Sequence, residues 1–329
     1  MPRACPVHAP QAAELHTVLT LLSTGPMGLS DAIDLSDVEL LKRTIRSDGK
    51  ILGPSKAVTA VDSTFLKSSP LFNGKGGYVY GTSTFPSTYS RDTAPDLRSW
   101  VFCSFKLSEA YDVPVRDFYP PMFDSTDSTD IKQTEEETED SSSSPSASLT
   151  VAGWAFAADK VDKCLEGVDA LSCVDFLQTI EGPSRSATAT HGTSDTSVFQ
   201  VPASDFSNVT GGTDFAPAVT VVTEPCTTSQ WFLLGDLSKY VPLSSVRFKS
   251  IKCTDVGVAA TILGAEGENI TVTALAPTQS KSRTHRNSGA HGGDGGGKGE
   301  VSGWTVSSRT IAFDATGQAE LAFIQAEYY

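Results

Sequence analysis

Charged residues are scarce in this chain, at 19% of 329 positions, and hydrophobic residues reach only 39%. Both shares lie below those of an ordinary globular chain. Serine, threonine, glycine and proline fill the difference, which points to turns, short strands and low-complexity stretches. No run of eighteen apolar residues occurs, which excludes a transmembrane helix. The opening MPRACPVHAP has no apolar core of the kind a signal peptide needs. Basic residues are outnumbered 25 to 39, giving a net charge of −14. Such a chain repels phosphate backbones, so nucleic acid is not an expected partner, and neither is a membrane. No CxxC pair exists among the six cysteines, so no metal site is expected. No repeat of 20–50 residues is visible.

Acidity is concentrated. Between Asp124 and Asp140 stand eight acidic residues against the single Lys132, a local −7 that is half the total. This reads as a solvated insert over 124–148. A second low-complexity run, TQSKSRTHRNSGAHGGDGGGKGE at 278–300, reads as an elongated turn between two strands. Its Gly-Lys pair is no phosphate loop, because Lys298 is followed by Gly299 and no helix pattern follows. His285 and His291 in the same run fit a tether better than a metal site.

The remaining chain divides by texture. QAAELHTVLTLL (11–22) has Ala12, Leu15, Val18, Leu19 and Leu22 at helical spacing. Gly25-Pro26 is the expected stop. Pro26-Met27-Gly28-Leu29 is short and apolar enough for a buried parallel strand. Ser36-Asp37-Val38-Glu39 has capping-box spacing and opens a second helix, with Gly49 suited to its left-handed end. From about residue 53 the pattern becomes β. AVTAVDSTF (57–65), GYVYGTSTF (77–85), RSWVFCSFKL (98–107), VAGWAFAAD (151–159), PAVTVVTE (217–224), QWFLLGDL (230–237), VGVAATILG (256–264), NITVTALA (269–276), GWTVSSRTIAF (303–313) and AELAFI (319–324) read as strands. The expected fold is mainly β: an antiparallel β-sandwich over 53–329, broken by 124–148 and 278–300, and preceded by an α/β segment over 1–52.

Chemistry-bearing patterns are thin. Gly28-Leu29-Ser30-Asp31-Ala32 lacks the second glycine of a nucleophile elbow, which argues against a serine hydrolase. Trp100, Trp154, Trp231 and Trp304 are candidates for a sugar-stacking platform, but each sits among apolar strand residues and core packing is the default. Cys164 and Cys173 are close enough in sequence to close a loop in an oxidising compartment. Asn208-Val209-Thr210 and Asn269-Ile270-Thr271 have the N-glycan acceptor pattern, a hint of secretion that the missing signal peptide opposes. Asp31 lies just past the apolar 26–29 segment, where a barrel strand presents groups to a substrate. It reads equally well as a turn residue.

Two stretches carry a family likeness. AELHTVLTLLSTGPMGLSD with VELLKRTIRSDGKILGPSKAVTAVDSTF resembles the end of the catalytic barrel of the glycoside hydrolase clan of α-galactosidases and raffinose synthases. The matching positions are Ala13-Glu14, Gly25-Pro26, Ser30-Asp31, Leu40-Leu41, Asp48-Gly49, Pro54 and Asp62. WFLLGDLSKYVPLSSVRF (231–248) is similar to the tail of uncharacterised barrel proteins of that clan. The resemblance implies that residues 1–52 are the last helix, strand and helix of a (β/α)8 barrel, followed by the C-terminal β domain. It implies a carbohydrate partner for the completed barrel, with Asp31 and Ser30 as sugar-binding residues, no cofactor and no metal. The family's two catalytic carboxylates come from earlier barrel strands, and no residue here matches either. Glycosidase activity is therefore not expected of this polypeptide alone. Met1 is expected to be an internal start, with self-association through an exposed barrel edge. Two other readings remain open: a non-catalytic carbohydrate-binding β module and an inactive structural remnant.

Overall fold

The computed structural model describes residues 11–28, 36–62, 64, 77–86, 97–105, 107, 110–114, 148–157, 162–164, 173–181, 198–201, 217–278 and 303–324. Within them the chain is mainly β. Two short helices, α1 (Gln11–Leu22) and α2 (Val38–Lys42), precede fourteen strands. These are β1 (Thr59–Ala60), β2 (Tyr78–Thr84), β3 (Ser99–Phe105), β4 (Tyr111–Pro114), β5 (Ser148–Ala155), β6 (Phe176–Glu181), β7 (Val198–Val201), β8 (Ala218–Thr223), β9 (Phe232–Gly235), β10 (Phe248–Thr254), β11 (Gly257–Leu263), β12 (Asn269–Pro277), β13 (Trp304–Ala312) and β14 (Gln318–Ile324).

Every pairing among these strands is antiparallel. A six-stranded sheet runs β1-β2-β3-β8-β5-β6. An inner three-stranded sheet runs β13-β12-β9, an outer one runs β10-β11-β14, and β4 pairs with β7. Alternation of side chains along β9 and β12 explains the layering. Leu233, Val272 and Ala274 point one way, into a core shared with Phe248, Ile262 and Phe323 of the outer sheet. That pair of sheets is a β-sandwich. Phe232, Leu234 and Leu275 point the other way and join Val101, Trp154 and Val221 of the six-stranded sheet. The opposite face of the six-stranded sheet carries Trp100, Phe102 and Val222, packed with Tyr111 and Val113 of β4 and Val201 of β7.

α1 belongs to the middle core. Leu15, Val18, Leu21 and Leu22 are buried there with Leu40 of α2, beside Trp154 and Phe232. Burial of each such side chain stabilises by about 1.5–3 kcal/mol. So the opening helices share one apolar cluster with both sheets that flank them. The end of α1 differs from the expected one, since the left-handed residue is Thr24 (φ 58°), ahead of Gly25. The apolar 26–29 segment forms no strand over residues 26–28, where Pro26 and Gly28 are exposed. Pro26 has no N–H to give a ladder and Gly28 has no side chain to pack, so residues 26–28 gain little from an extended pairing. The capping residue of α2 is Asp37, one position later than expected, and its carboxylate accepts from the Leu40 N–H at 3.0 Å. α2 is also short. The chain leaves it at Arg43, and Ile45 bridges Ile51 around a tight turn in which Gly49 has φ 82°. That positive φ is the one expected, but it serves the turn.

Most expected strands form. The expected 57–65 strand contracts to Thr59–Ala60, and β4, β6, β7 and β10 are additional. β12 and β13 pair in unbroken register from Asn269↔Ala312 to Pro277↔Trp304, so the glycine-rich run does join two hydrogen-bonded partners. The 124–148 insert lies outside the described residues up to Ser148, where β5 begins. Trp100, Trp154 and Trp231 are buried core residues, and Trp304 is half-buried with its ring edge-on to Phe232 at 4.9 Å. Cys164 pairs with Cys173, and Cys226 with Cys253, a bridge between the segment before β9 and the end of β10. The second bridge closes a loop of 27 residues and, by chain entropy, stabilises by about 3.5 kcal/mol.

Gly235 ends β9 at φ 83°, and a Cβ there would meet the Pro242 carbonyl oxygen at 2.4 Å. Backbone conformation and space both demand glycine. Gly235→Ala is expected to destabilise the chain by roughly 2–4 kcal/mol, read as a lower urea midpoint. An unchanged midpoint would show that the 235–242 loop is not under this constraint.

Candidate functional site

A polar cluster lies where residues 43–53 meet the loop 236–248. Its centre is Arg247, 1% exposed, at the end of a turn whose N–H donates to Ser244 O. Arg247 Nη2 donates to Glu268 Oε1 at 2.7 Å and stands 4.0 Å from Asp236 Oδ2. Glu268 sits in the turn before β12. Its second oxygen accepts from the Ala265 N–H at 2.9 Å, and the Ser47 N–H reaches Oε1 at 3.4 Å. Burial pushes the Glu268 carboxyl up, but the Arg247 guanidinium and these N–H donors outweigh it and hold the group below its usual range. Asp236 uses its other oxygen to accept from the Ser238 N–H and hydroxyl, at 3.1 and 2.6 Å, an Asx turn that starts the loop.

The same loop grips the helical segment. Lys239 Nζ donates to the carbonyls of Lys42 and Ile45, at 2.5 and 3.1 Å, satisfying backbone acceptors left open where α2 ends. Burial lowers the Lys239 ammonium from its ordinary value. Tyr240 donates to Glu14 of α1 at 2.6 Å and accepts from Arg43 Nη1 at 3.3 Å. Burial and the Glu14 carboxylate push the Tyr240 phenol upward, so it stays a donor. Its hydrogen bond to Arg43 in turn raises that guanidinium. Arg43 also stands over the Phe156 ring, 5.5 Å from its centre. Ser244 Oγ donates to Gly53 O at 2.7 Å, and Arg46 Nη1 donates to Val246 O at 3.2 Å while Nη2 pairs with Asp48 at 2.9 Å.

Glu14, Asp48, Asp236 and Glu268 are each engaged by a cation or by N–H and O–H donors. The arrangement positions backbone; it does not offer a poised acid facing a free base. Among the described residues no group of three His, Cys, Asp or Glu side chains can hold a metal ion. The one free thiol among them, Cys103, is buried and pushed up to about 12, which keeps it unreactive.

Of the residues expected to bind sugar, Asp31 and Ser30 lie outside the described residues, as do His285, His291 and Lys298. The other positions of the family likeness fall in different surroundings. Glu14 meets Tyr240, Leu40 and Pro54 are buried, Asp48 holds Arg46, and Asp62 is exposed. Sequence reasoning missed Arg247 and Glu268, which are twenty-one residues apart and carry no local pattern. The available signal was only that SSVRF places a lone arginine between apolar residues. No family model matches this chain, and no curated protein matches it.

Glu268→Gln leaves the Arg247 charge buried beside a neutral partner, and the expected loss is about 3 kcal/mol at neutral pH. Because the folded carboxyl lies below its unfolded value near 4.5, its contribution is complete above that value and fades as pH falls toward the folded one. The variant should therefore lose less on acidification than the parent, as urea titrations at neutral pH and below pH 4.5 would measure. Equal acid sensitivity of the two would rule this pairing out.

Proposed function

We propose that this chain is the C-terminal portion of a glycoside hydrolase-like protein of the α-galactosidase clan, and that it carries no catalytic pair of its own. The observation that supports the reading is a contact. The two stretches that resemble the clan, 12–65 and 231–248, lie far apart in sequence, and Glu14, Lys42, Ile45 and Gly53 of the first are bonded by Tyr240, Lys239 and Ser244 of the second. Segments that travel together in a family are expected to be joined by such a seam. In this reading the β domain braces the closing helices of a barrel, and Asp31 with Ser30 lines the sugar pocket of that barrel.

Purified 1–329 incubated with an aryl α-galactoside should release no aglycone above a buffer control. Turnover abolished by changing a carboxylate within 1–329 would overturn the proposal.

One observation favours a carbohydrate-binding β module as a second reading. The tryptophans are core residues, but Tyr78, 42% exposed, stacks on Phe105 at 5.1 Å, and Tyr80 stacks on the same ring at 5.9 Å. Both tyrosines stack on the one ring, and Tyr78 is the exposed member. On this reading Tyr78→Ala abolishes retention on an immobilised galactoside without lowering the melting temperature. Equal retention of parent and variant would discard it.

A further inference from the structure

The acceptor tripeptide Asn269-Ile270-Thr271 falls at the start of β12, immediately after the Gly267 turn. Asn269 is exposed, and its side chain makes no hydrogen bond to any described residue. Ile270 points into the sandwich core, so Asn269 and Thr271 point to the other face. There Thr271 pairs with Thr310 across the strands at 3.1 Å, and Thr273 with Ser308 at 3.1 Å. Beside Asn269 this end of the inner sheet is polar, with Thr271 half-buried and Thr310 exposed, whereas Thr273 further along the strand is buried. The second tripeptide, at Asn208, lies outside the described residues.

An independent observation bears on the compartment. Four of the five described cysteines are paired, in two bridges, and the fifth is a buried thiol. Disulfides persist where the surroundings are oxidising, as in the secretory pathway, which is also where N-glycans are attached.

We propose that Asn269 is an N-glycosylation site, modified in an oxidising secretory compartment. The donor is an oligosaccharide carried on a lipid diphosphate, supplied with an oligosaccharyltransferase. Asn269 Nδ2 forms a bond to the anomeric carbon, and the bond from that carbon to the diphosphate oxygen breaks. The lipid diphosphate leaves with the bonding electrons, and the amide proton passes to a base on the transferase. Nothing is oxidised or reduced. Folding leaves the modified position tolerable because Asn269 donates nothing to the core and only its backbone joins the β12–β13 ladder.

The test uses the native full chain, isolated from its own cells with free thiols alkylated before any reduction. Digestion with peptide N-glycosidase in heavy-oxygen water is expected to convert residue 269 to labelled aspartate. Cys226 and Cys253 are expected to escape alkylation. In cells, Asn269→Gln and Thr271→Ala should remove the associated mobility shift, and Thr271→Ser should retain it. Recovery of Asn269 as an unmodified amide overturns the proposal, whether or not Asn208 is modified. Alkylation of Cys226 and Cys253 overturns it as well.

Discussion

A buried guanidinium organises this molecule. Arg247 cannot be left alone in a dry interior, because an unpaired ion there costs several kcal/mol. Glu268 answers it at 2.7 Å, and Asp236 stands 4.0 Å from the same nitrogen. Arg247 Nε and Nη1 and Asp236 Oδ2 nonetheless find no hydrogen-bond partner among the described residues. Such a centre tolerates few alternatives, so it fixes the turn before β12, the end of β9 and the loop between β9 and β10 relative to one another.

From that centre the loop 236–248 works outward. Asp236 starts it as an Asx turn, Gly235 supplies the positive φ that lets Asp236 N–H meet Pro242 O, and Lys239, Tyr240 and Ser244 reach across to the helical segment. Apolar neighbours alternate with these polar groups. Leu237, Tyr240 and Val241 enter the middle core, whereas Leu243 enters the sandwich core. The loop is therefore a hinge pin between two apolar clusters. It ties the opening helices to a β-sandwich that begins nearly two hundred residues later in the chain.

This economy explains why the functional reading rests on a seam and not on a reaction centre. Carboxylates that are engaged by arginine, lysine and N–H or O–H donors are fixed in place, which suits bracing and does not suit proton transfer. Exposed groups lie elsewhere, Tyr78 on the six-stranded sheet and Asn269 with Thr310 on the inner sheet.

What the sequence determined by itself was local. Alternation in GVAATIL and NITVTALA, with turn residues between them, was enough for β11 and β12, because a strand with one apolar face announces itself at a period of two. The helical period of 11–22 and the hairpin around the glycine-rich run were equally legible. Segments such as Phe176–Glu181 and Phe248–Thr254 were not, since mixed polar residues along them gain their strand state from partners supplied by β5 and β11. The same held for Pro26–Gly28, whose apolar character was not enough to make a strand without a neighbour. Only the tertiary structure decided that Cys226 meets Cys253, that Tyr240 meets Glu14 across 226 positions, and that Arg247 chooses Glu268. Each is a pairing of long-range partners, and a chain read in one dimension carries no record of which distant groups burial will force together.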